Sequence, residues 1–211
     1  MDKETMNIYY EEFDNHLLSD VKPSEYFNKV RNRELLDQVY PFTLLLTLAN
    51  VEQSPVHHSE GNVWNHNMLV LDSAANHRHL SKEPRVFMWS ALLHDLGKAT
   101  TTKGRKGRIT SYDHGIEGEK LALNFLESFA ANSIFINKVC KMVRWHMQTL
   151  FVVKDLPFAN IKLMLSEVPL EEISLLSLCD RLGRGGMTKK KIEEEKENIR
   201  IFIKKCSKYQ K

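Results

Sequence analysis

The segment "ALLHDLGKAT" (91–100) decides how this chain is interpreted, because an otherwise apolar helix ends in polar residues. His94 and Asp95 stand side by side, and Gly97 and Lys98 follow shortly after them. A carboxylate that is buried without a partner is costly. We therefore expect this helix end to supply polar side chains to a functional site, with Gly97 allowing the chain to turn.

The composition is typical of a globular protein with one domain, or one domain and a small appendage. The chain has 211 residues, of which 42% are hydrophobic and 27% charged. The net charge of +3 is too weak by itself to indicate a nucleic-acid binder. No apolar run approaches the roughly 20 residues of a membrane span, and the acidic N-terminus is unlike a secretory signal. The three cysteines form no CxxC pair, which predicts a reducing, cytoplasmic location.

Nearly every segment has the periodicity of a helix, and no window alternates well enough to predict a strand. We therefore predict an all-α bundle. The predicted helices are 5–19, 23–31, 33–49 with a kink or break at Pro41, 62–80, 84–96, 114–130, 133–149, 157–166, 169–183 and a last helix within 188–209.

Several of these helices place a histidine or an aspartate on their apolar face. A single inward histidine is usually a satisfied core residue, but two aspartates and four histidines from five helices are harder to explain in that way. A shared divalent cation satisfies all of them at once, since imidazole and carboxylate are suitable ligands. No cysteine takes part, which argues against a thiolate zinc site. The six residues are His66, His94, Asp95, His114, His146 and Asp180.

The order of these residues resembles the H…HD…D signature of the HD superfamily of metal-dependent phosphohydrolases. Over about residues 35 to 186 the chain is similar to the HD domain of bacterial tRNA nucleotidyltransferases, the CCA-adding enzymes. No nucleotidyltransferase motif precedes this part, so CCA addition is not implied. The segments that carry the resemblance are "HHSEGNVWNHNMLVLD" (57–72), "ALLHDLGKATT" (91–101), "YDHGIEGEKLA" (112–122), "VRWHM" (143–147) and "LCDRLGRG" (178–185).

The resemblance implies an HD-domain helical bundle with additional N-terminal and C-terminal helices. The HD core is expected at 51–187, with N-terminal helices in 1–50 and a docking C-terminal helix in 188–211. One metal ion is implied at His66, His94, Asp95 and Asp180, and a second at His114 and His146 with Asp95 bridging. The donor set does not distinguish Mn, Fe, Co, Ni, Zn and Mg.

Asp95 and Lys98 are the candidate catalytic residues, Lys98 by neutralising phosphate. The loop 101–110 is basic and contains Arg105. It is interpreted either as a site for a nucleotide phosphate or RNA backbone, or as a solvated, hairpin-like connection. Arg184, one helical turn after Asp180, and His58, before the first ligand helix, are the further candidates for substrate binding.

The implied function is a phosphodiesterase or phosphatase that acts on nucleotides or RNA ends, such as 2′,3′-cyclic nucleotides. An alternative is a non-catalytic nucleotide- or RNA-binding HD module. A third interpretation is a di-iron HD oxygenase, against which Lys98 and the basic loop favour a phosphate substrate. Residues 1–50 are expected either to cover the site or to form a dimer interface, and the sequence does not determine the oligomeric state.

Overall fold

Helices make up nearly all the regular structure of this protein in a computed structural model. The structure describes residues 2–32, 38–54, 58–105, 108–129 and 131–210, without the side chains of Lys3 and Arg105. The prediction of a helical bundle is confirmed. The elements are α1 (Lys3–Ser19), α2 (Pro23–Arg31), α3 (Phe42–Leu46), α4 (Val63–His77), α5 (Pro84–Leu93), α6 (Lys98–Thr101), β1 (Lys103–Arg105), β2 (Arg108–Thr110), α7 (His114–Glu127), α8 (Ser133–Trp145), α9 (Gln148–Val153), α10 (Ile161–Glu167), α11 (Leu170–Leu182) and α12 (Lys189–Ser207), with 3-10 turns at Thr47–Asn50 and Arg78–Leu80.

Local signals explain where several helices begin. Pro23 and Pro84 occupy first-turn positions of α2 and α5, where the missing N–H of proline costs nothing. The Asn62 side chain caps α4 by accepting a hydrogen bond from the main-chain N–H of Asn65. α3 begins directly after Pro41, as a break at that proline predicts, while residues 33–37 of the predicted helix lie outside the described residues.

Several predicted helix boundaries are wrong, and two of them matter for the site. The helix predicted at 133–149 ends at Trp145, so His146 lies just after it. α5 ends at Leu93 instead of residue 96, so His94 and Asp95 lie in the turn that connects α5 to α6. The helix predicted from Pro157 begins at Ile161. Asn160 sets this later start, because its side chain accepts a hydrogen bond from the main-chain N–H of Leu163.

The basic segment after α6 forms a short antiparallel hairpin, which corrects the prediction that the chain has no strand. Lys103 pairs with Thr110, and Gly104 pairs with Ile109. Each strand has three residues, which is too short for a visible alternation of apolar and polar residues.

The core is formed around α5, which packs against α4, α8, α11 and α1. Trp64, Trp89 and Phe87 are among its completely buried side chains. α12 packs against α11 and α9 and buries Phe202 and Cys206. No helix within the described ranges is long and apolar enough to cross a membrane.

Candidate metal centre

Six ionisable side chains meet at the C-terminal end of α5. His66 comes from α4, His114 is the first residue of α7, and Asp180 comes from α11. His94 and Asp95 follow α5, and His146 follows α8. All six are buried, with at most 8% of any residue exposed. The structure therefore brings together every metal-ligand candidate of the sequence analysis.

The carboxylate of Asp95 lies between two pairs of histidines. Its Oδ2 atom is 3.8 Å from Nε2 of His66 and 3.5 Å from Nε2 of His94. Its Oδ1 atom is 3.5 Å from Nε2 of His114 and 3.7 Å from Nε2 of His146. Each carboxylate oxygen thus faces one pair, as a carboxylate that bridges two ions requires.

The two sides of Asp95 differ in their remaining donors. On the His66 side, Oδ1 of Asp180 lies 3.1 Å from Nε2 of His66 and adds a second carboxylate. On the other side, the Nε2 atoms of His114 and His146 lie 3.1 Å apart. The first side therefore has one more carboxylate than the second.

Main-chain carbonyls orient three of the four histidine rings. A carbonyl oxygen only accepts, so each Nδ1 carries the proton and each Nε2 presents a lone pair towards Asp95. The Nδ1 atoms donate to the carbonyl three residues earlier: His94 to Ala91 at 2.9 Å, His114 to Ser111 at 2.7 Å and His146 to Val143 at 2.6 Å.

The residues present fit a divalent cation. The Nε2 atom of His94 is buried and has no hydrogen-bond partner among the described residues, and an unpaired buried acceptor costs about 1–3 kcal/mol. A cation would supply the missing partner. The donor atoms of His66, His94 and Asp95 lie within 4.8 Å of one another, as do those of Asp95, His114 and His146. Imidazole and carboxylate together suit divalent metals.

Except at His66, the pKa shifts of the cluster favour ligand forms at neutral pH. Burial alone would raise the pKa of Asp95, but Lys98 and the surrounding histidines hold it well below its usual value. Burial lowers the pKa of His114 and of His146 to about 4. Burial also opposes protonation of His66, but hydrogen bonds to Asp180 and Glu60 outweigh it and raise the pKa of that ring.

Lys98 contacts the same oxygen of Asp95 that faces His66 and His94. Its Nζ atom lies 2.7 Å from Oδ2 of Asp95 and donates to Oε1 of Gln53 at 2.8 Å. The sequence analysis did not identify Gln53, which is buried in an irregular segment and has no helical periodicity that could indicate it.

Glu60 is a second residue that the sequence analysis missed. Its Oε1 atom accepts from Nδ1 of His58 at 2.8 Å and from Nδ1 of His66 at 3.0 Å. Its Oε2 atom accepts from the main-chain N–H of Gly185 at 2.9 Å. The donor atoms of His58, Glu60 and His66 also lie within 4.8 Å of one another. The sequence feature that could have indicated Glu60 is its position as an acidic residue in the loop before α4. That feature alone is a weak indication of a functional role.

Two of the predicted substrate-binding residues, His58 and Arg184, lie near the cluster. His58 lies beside His66, with ring centroids 4.8 Å apart, and its pKa is lowered to about 4 by burial and by nearby cations that include Arg184. Nε of Arg184 is buried without a hydrogen-bond partner within the described part of the chain. The side chain of Arg105 lies outside the described residues.

Two glycines allow the ligand-bearing segments to approach closely. A Cβ atom at Gly97 would lie 2.0 Å from the main-chain oxygen of His114, and one at Gly183 would lie 2.6 Å from Cα of Val70. The φ angle of Gly97 is −62°, which any residue adopts. Glycine is therefore needed at this position for contact with α7, and not for the turn that the sequence analysis expected.

Comparisons with known proteins agree with this geometry. A family model described as HD domain matches residues 63–185, which confirms the resemblance drawn from the motifs. The Multifunctional CCA protein of Halorhodospira halophila is 32% identical over 146 residues, which are 66% of this chain and 34% of that protein. The protein of the same name from Methylococcus capsulatus is 34% identical over 131 residues, 61% of this chain and 28% of that protein. The chain thus spans about a third of the length of these curated relatives.

Proposed function

The chain belongs to the HD domain family, and on that premise we propose that it is a metal-dependent phosphohydrolase acting on nucleotides or RNA ends. The observation that carries the proposal is the position of Asp95, whose two oxygens face two separate pairs of histidines. Without a metal ion, the buried Nε2 atom of His94 has no hydrogen-bond partner among the described residues. Such an unpaired group costs stability, so the cluster is not explained by a structural role. We propose that the HD core comprises residues 51–187, with 1–50 and 188–211 packed on it.

The proposed ligand sets follow from the two sides of Asp95. His66, His94, Asp95 and Asp180 would hold one ion. Asp95, His114 and His146 would hold a second. A divalent ion bound there supplies Lewis acidity, which activates water and offsets charge on phosphoryl oxygens. The main-chain carbonyls, by accepting from Nδ1 of three histidines, would leave their Nε2 atoms free to hold the ions.

Cationic side chains beside the cluster support a phosphate substrate over an oxidation reaction. Lys98 is bound to Asp95 and Gln53, so its ammonium is held at the edge of the proposed centre. Arg184 is close enough to Asp180 to lower the pKa of that carboxyl, and its Nε is unpaired among the described residues. We propose that Lys98 and Arg184 bind the phosphoryl group, and that His58 contacts the substrate beside them.

The hairpin β1–β2 is the proposed contact for a longer substrate. Lys103 and Arg108 are exposed on it, and Arg105 lies between them. The hairpin is joined to the cluster through Ser111, whose carbonyl accepts from His114. We therefore propose that the hairpin binds the phosphate backbone of an RNA end, whereas the cluster acts on the scissile phosphate.

Hydrolysis of 2′,3′-cyclic AMP by metal-depleted protein tests the proposal. Turnover should appear when Mn²⁺, Co²⁺, Ni²⁺ or Mg²⁺ is added, and Asp95→Asn should abolish it. Asp155→Asn is the matched control, because the Asp155 side chain is 82% exposed and its positive φ of 51° suits asparagine. Absence of turnover on cyclic nucleotides and on phosphomonoesters, in protein that holds its metal, would contradict the proposal. Iron-dependent oxygen consumption would favour the oxygenase interpretation instead.

A further inference from the structure

Glu60 accepts three hydrogen bonds, although it belongs to neither of the two proposed ligand sets. It contacts the rings of His58 and His66 through one oxygen and the main chain at Gly185 through the other. Its side chain is only 4% exposed. A carboxylate only accepts hydrogen bonds, so both histidines donate to Glu60 from Nδ1. Nε2 of His66 faces Oδ1 of Asp180 at 3.1 Å, and it is the ring nitrogen that would bind a metal once it carries no proton.

His66 differs from the other histidines of the cluster in the way its ring is held. His94, His114 and His146 donate to carbonyls of their own local turns. His66 instead depends on a side chain from the preceding loop. A carboxylate partner on Nδ1 fixes the tautomer and makes the imidazole a stronger ligand, as second-sphere carboxylates do in metal sites.

Glu60 also connects the loop before α4 to the end of α11. Gly185 follows Asp180 by five residues, and Asp180 contacts Nε2 of His66. A Cβ atom at Gly185 would lie 2.6 Å from Oγ of Ser59 and 3.1 Å from the main-chain nitrogen of Glu60, so the loop before α4 and the segment after α11 pack closely at this glycine. His66 is thus held through both ring nitrogens by groups tied to α11.

We propose that Glu60 is a positioning residue that fixes the tautomer and orientation of His66, and with it the affinity of the metal centre. This inference rests on the proposed metal centre, but it is tested by metal binding and not by catalysis. Glu60 acts through His66 and has no contact with the metal or the substrate in this role.

Glu60→Gln is the discriminating variant. Glutamine has one accepting oxygen and one donating amide group. If its oxygen faces the histidines, the amide faces the N–H of Gly185; if it is reversed, the amide faces both rings. In either arrangement the amide N–H group of glutamine faces another N–H donor at a buried position. The dissociation constant for Zn²⁺, measured by competition with a chromophoric chelator, should rise by about 10- to 100-fold.

Glu52→Gln is the matched control, because Glu52 is an exposed carboxylate eight residues earlier in the chain. It removes the same charge without touching a histidine, so zinc affinity should be unchanged. An equal loss in both variants would show a general charge effect and overturn the inference. So would unchanged zinc affinity in Glu60→Gln.

The tautomer of His66 gives a second readout that does not depend on the folding of the variant. Long-range ¹H–¹⁵N spectra of the zinc-loaded wild-type protein should show a proton on Nδ1 of His66 and none on Nε2. The Nε2–H form would overturn the inference. If wild-type protein binds no zinc, the proposed metal centre fails with it; if wild type and Glu60→Gln bind equally, only the role of Glu60 fails.

Discussion

Oδ2 of Asp95 lies 2.7 Å from Nζ of Lys98, three residues further along the chain. The same oxygen is 3.5 Å from Nε2 of His94. A metal ion held by His94 and this oxygen would therefore share the oxygen with the ammonium group of Lys98. Under the proposed function, Lys98 would offset the charge of Asp95 and would also bind the approaching phosphate anion. These two effects of Lys98 on the site can be separated by experiment.

Lys98→Ala should change metal binding and catalysis in opposite directions. Removing a cation beside Asp95 should strengthen metal binding, because repulsion between like charges is lost. Loss of charge stabilisation on phosphate should lower kcat/KM by about 100-fold. Calorimetric titration with Mn²⁺ and steady-state kinetics measure the two effects. Lys120→Ala, at a side chain that is 66% exposed, should change neither, and an unaltered kcat/KM in Lys98→Ala would remove Lys98 from the site.

His146→Gln should weaken one side of the centre and spare the other. The His66 side keeps both carboxylates, so it should retain one ion, whereas Asp95 and His114 alone should not hold the second. Metal content measured by mass spectrometry should fall from two ions per chain to one. His77→Gln is the control, since the His77 ring bonds to the carbonyl of Ser73 within α4. Loss of both ions in His146→Gln would show that the two sides do not act separately.

Gly97→Ala should disturb the centre through the main chain. The added Cβ would lie 2.0 Å from the oxygen of His114, so the start of α7 must move. We expect a loss of about 3 kcal/mol in the free energy of unfolding, at the upper end of the usual cost of overpacking. Urea denaturation measures it. Gly104→Ala has no atom within 4 Å of its Cβ and should be tolerated, whereas equal stability of the two variants would contradict the close contact.

The metal-free protein should lose stability as the pH falls from about 6.5 to 4. Burial lowers the pKa of His114 and His146 from 6.5 to about 4 in the folded chain. Between these values the unfolded chain binds protons that the folded chain does not, so unfolding becomes easier at lower pH. Urea midpoints measured with a chelator present should therefore decrease over this range.

The same measurement on His146→Gln isolates the contribution of one ring. Its urea midpoint should fall less steeply between pH 6.5 and 4 than that of wild type, since one depressed pKa is gone. His77→Gln should keep the wild-type slope. Identical slopes in wild type and His146→Gln would contradict a lowered pKa at His146.

Where helical periodicity carries the information, the sequence predicts well which side chains meet in the buried cluster. His66 shares a helical face with Val63 and Val70, which predicts that it lies on the inward side of α4. The same argument placed Asp180 on the inward face of α11. The structure brings these side chains together because α4 packs against both α5 and α11.

The supporting residues could not be predicted in the same way. Gln53 and Glu60 lie in irregular segments, where no period relates a residue to a face. Their roles depend on contacts with Lys98 and with Gly185, which are distant in sequence. The need for glycine at position 97 depends likewise on where α7 packs, and the three-residue strands of the hairpin are too short to produce a pattern.

Crystals grown with Mn²⁺ would show whether Asp95 bridges two metal ions, because anomalous scattering locates the ions. The account predicts an anomalous peak bonded to Asp95 with His66, His94 and Asp180 as its other protein ligands. A second peak is predicted on the opposite side of Asp95, beside His114 and His146. Absence of any peak at Asp95, in crystals of protein that hydrolyses a phosphoester in the presence of Mn²⁺, would contradict the account.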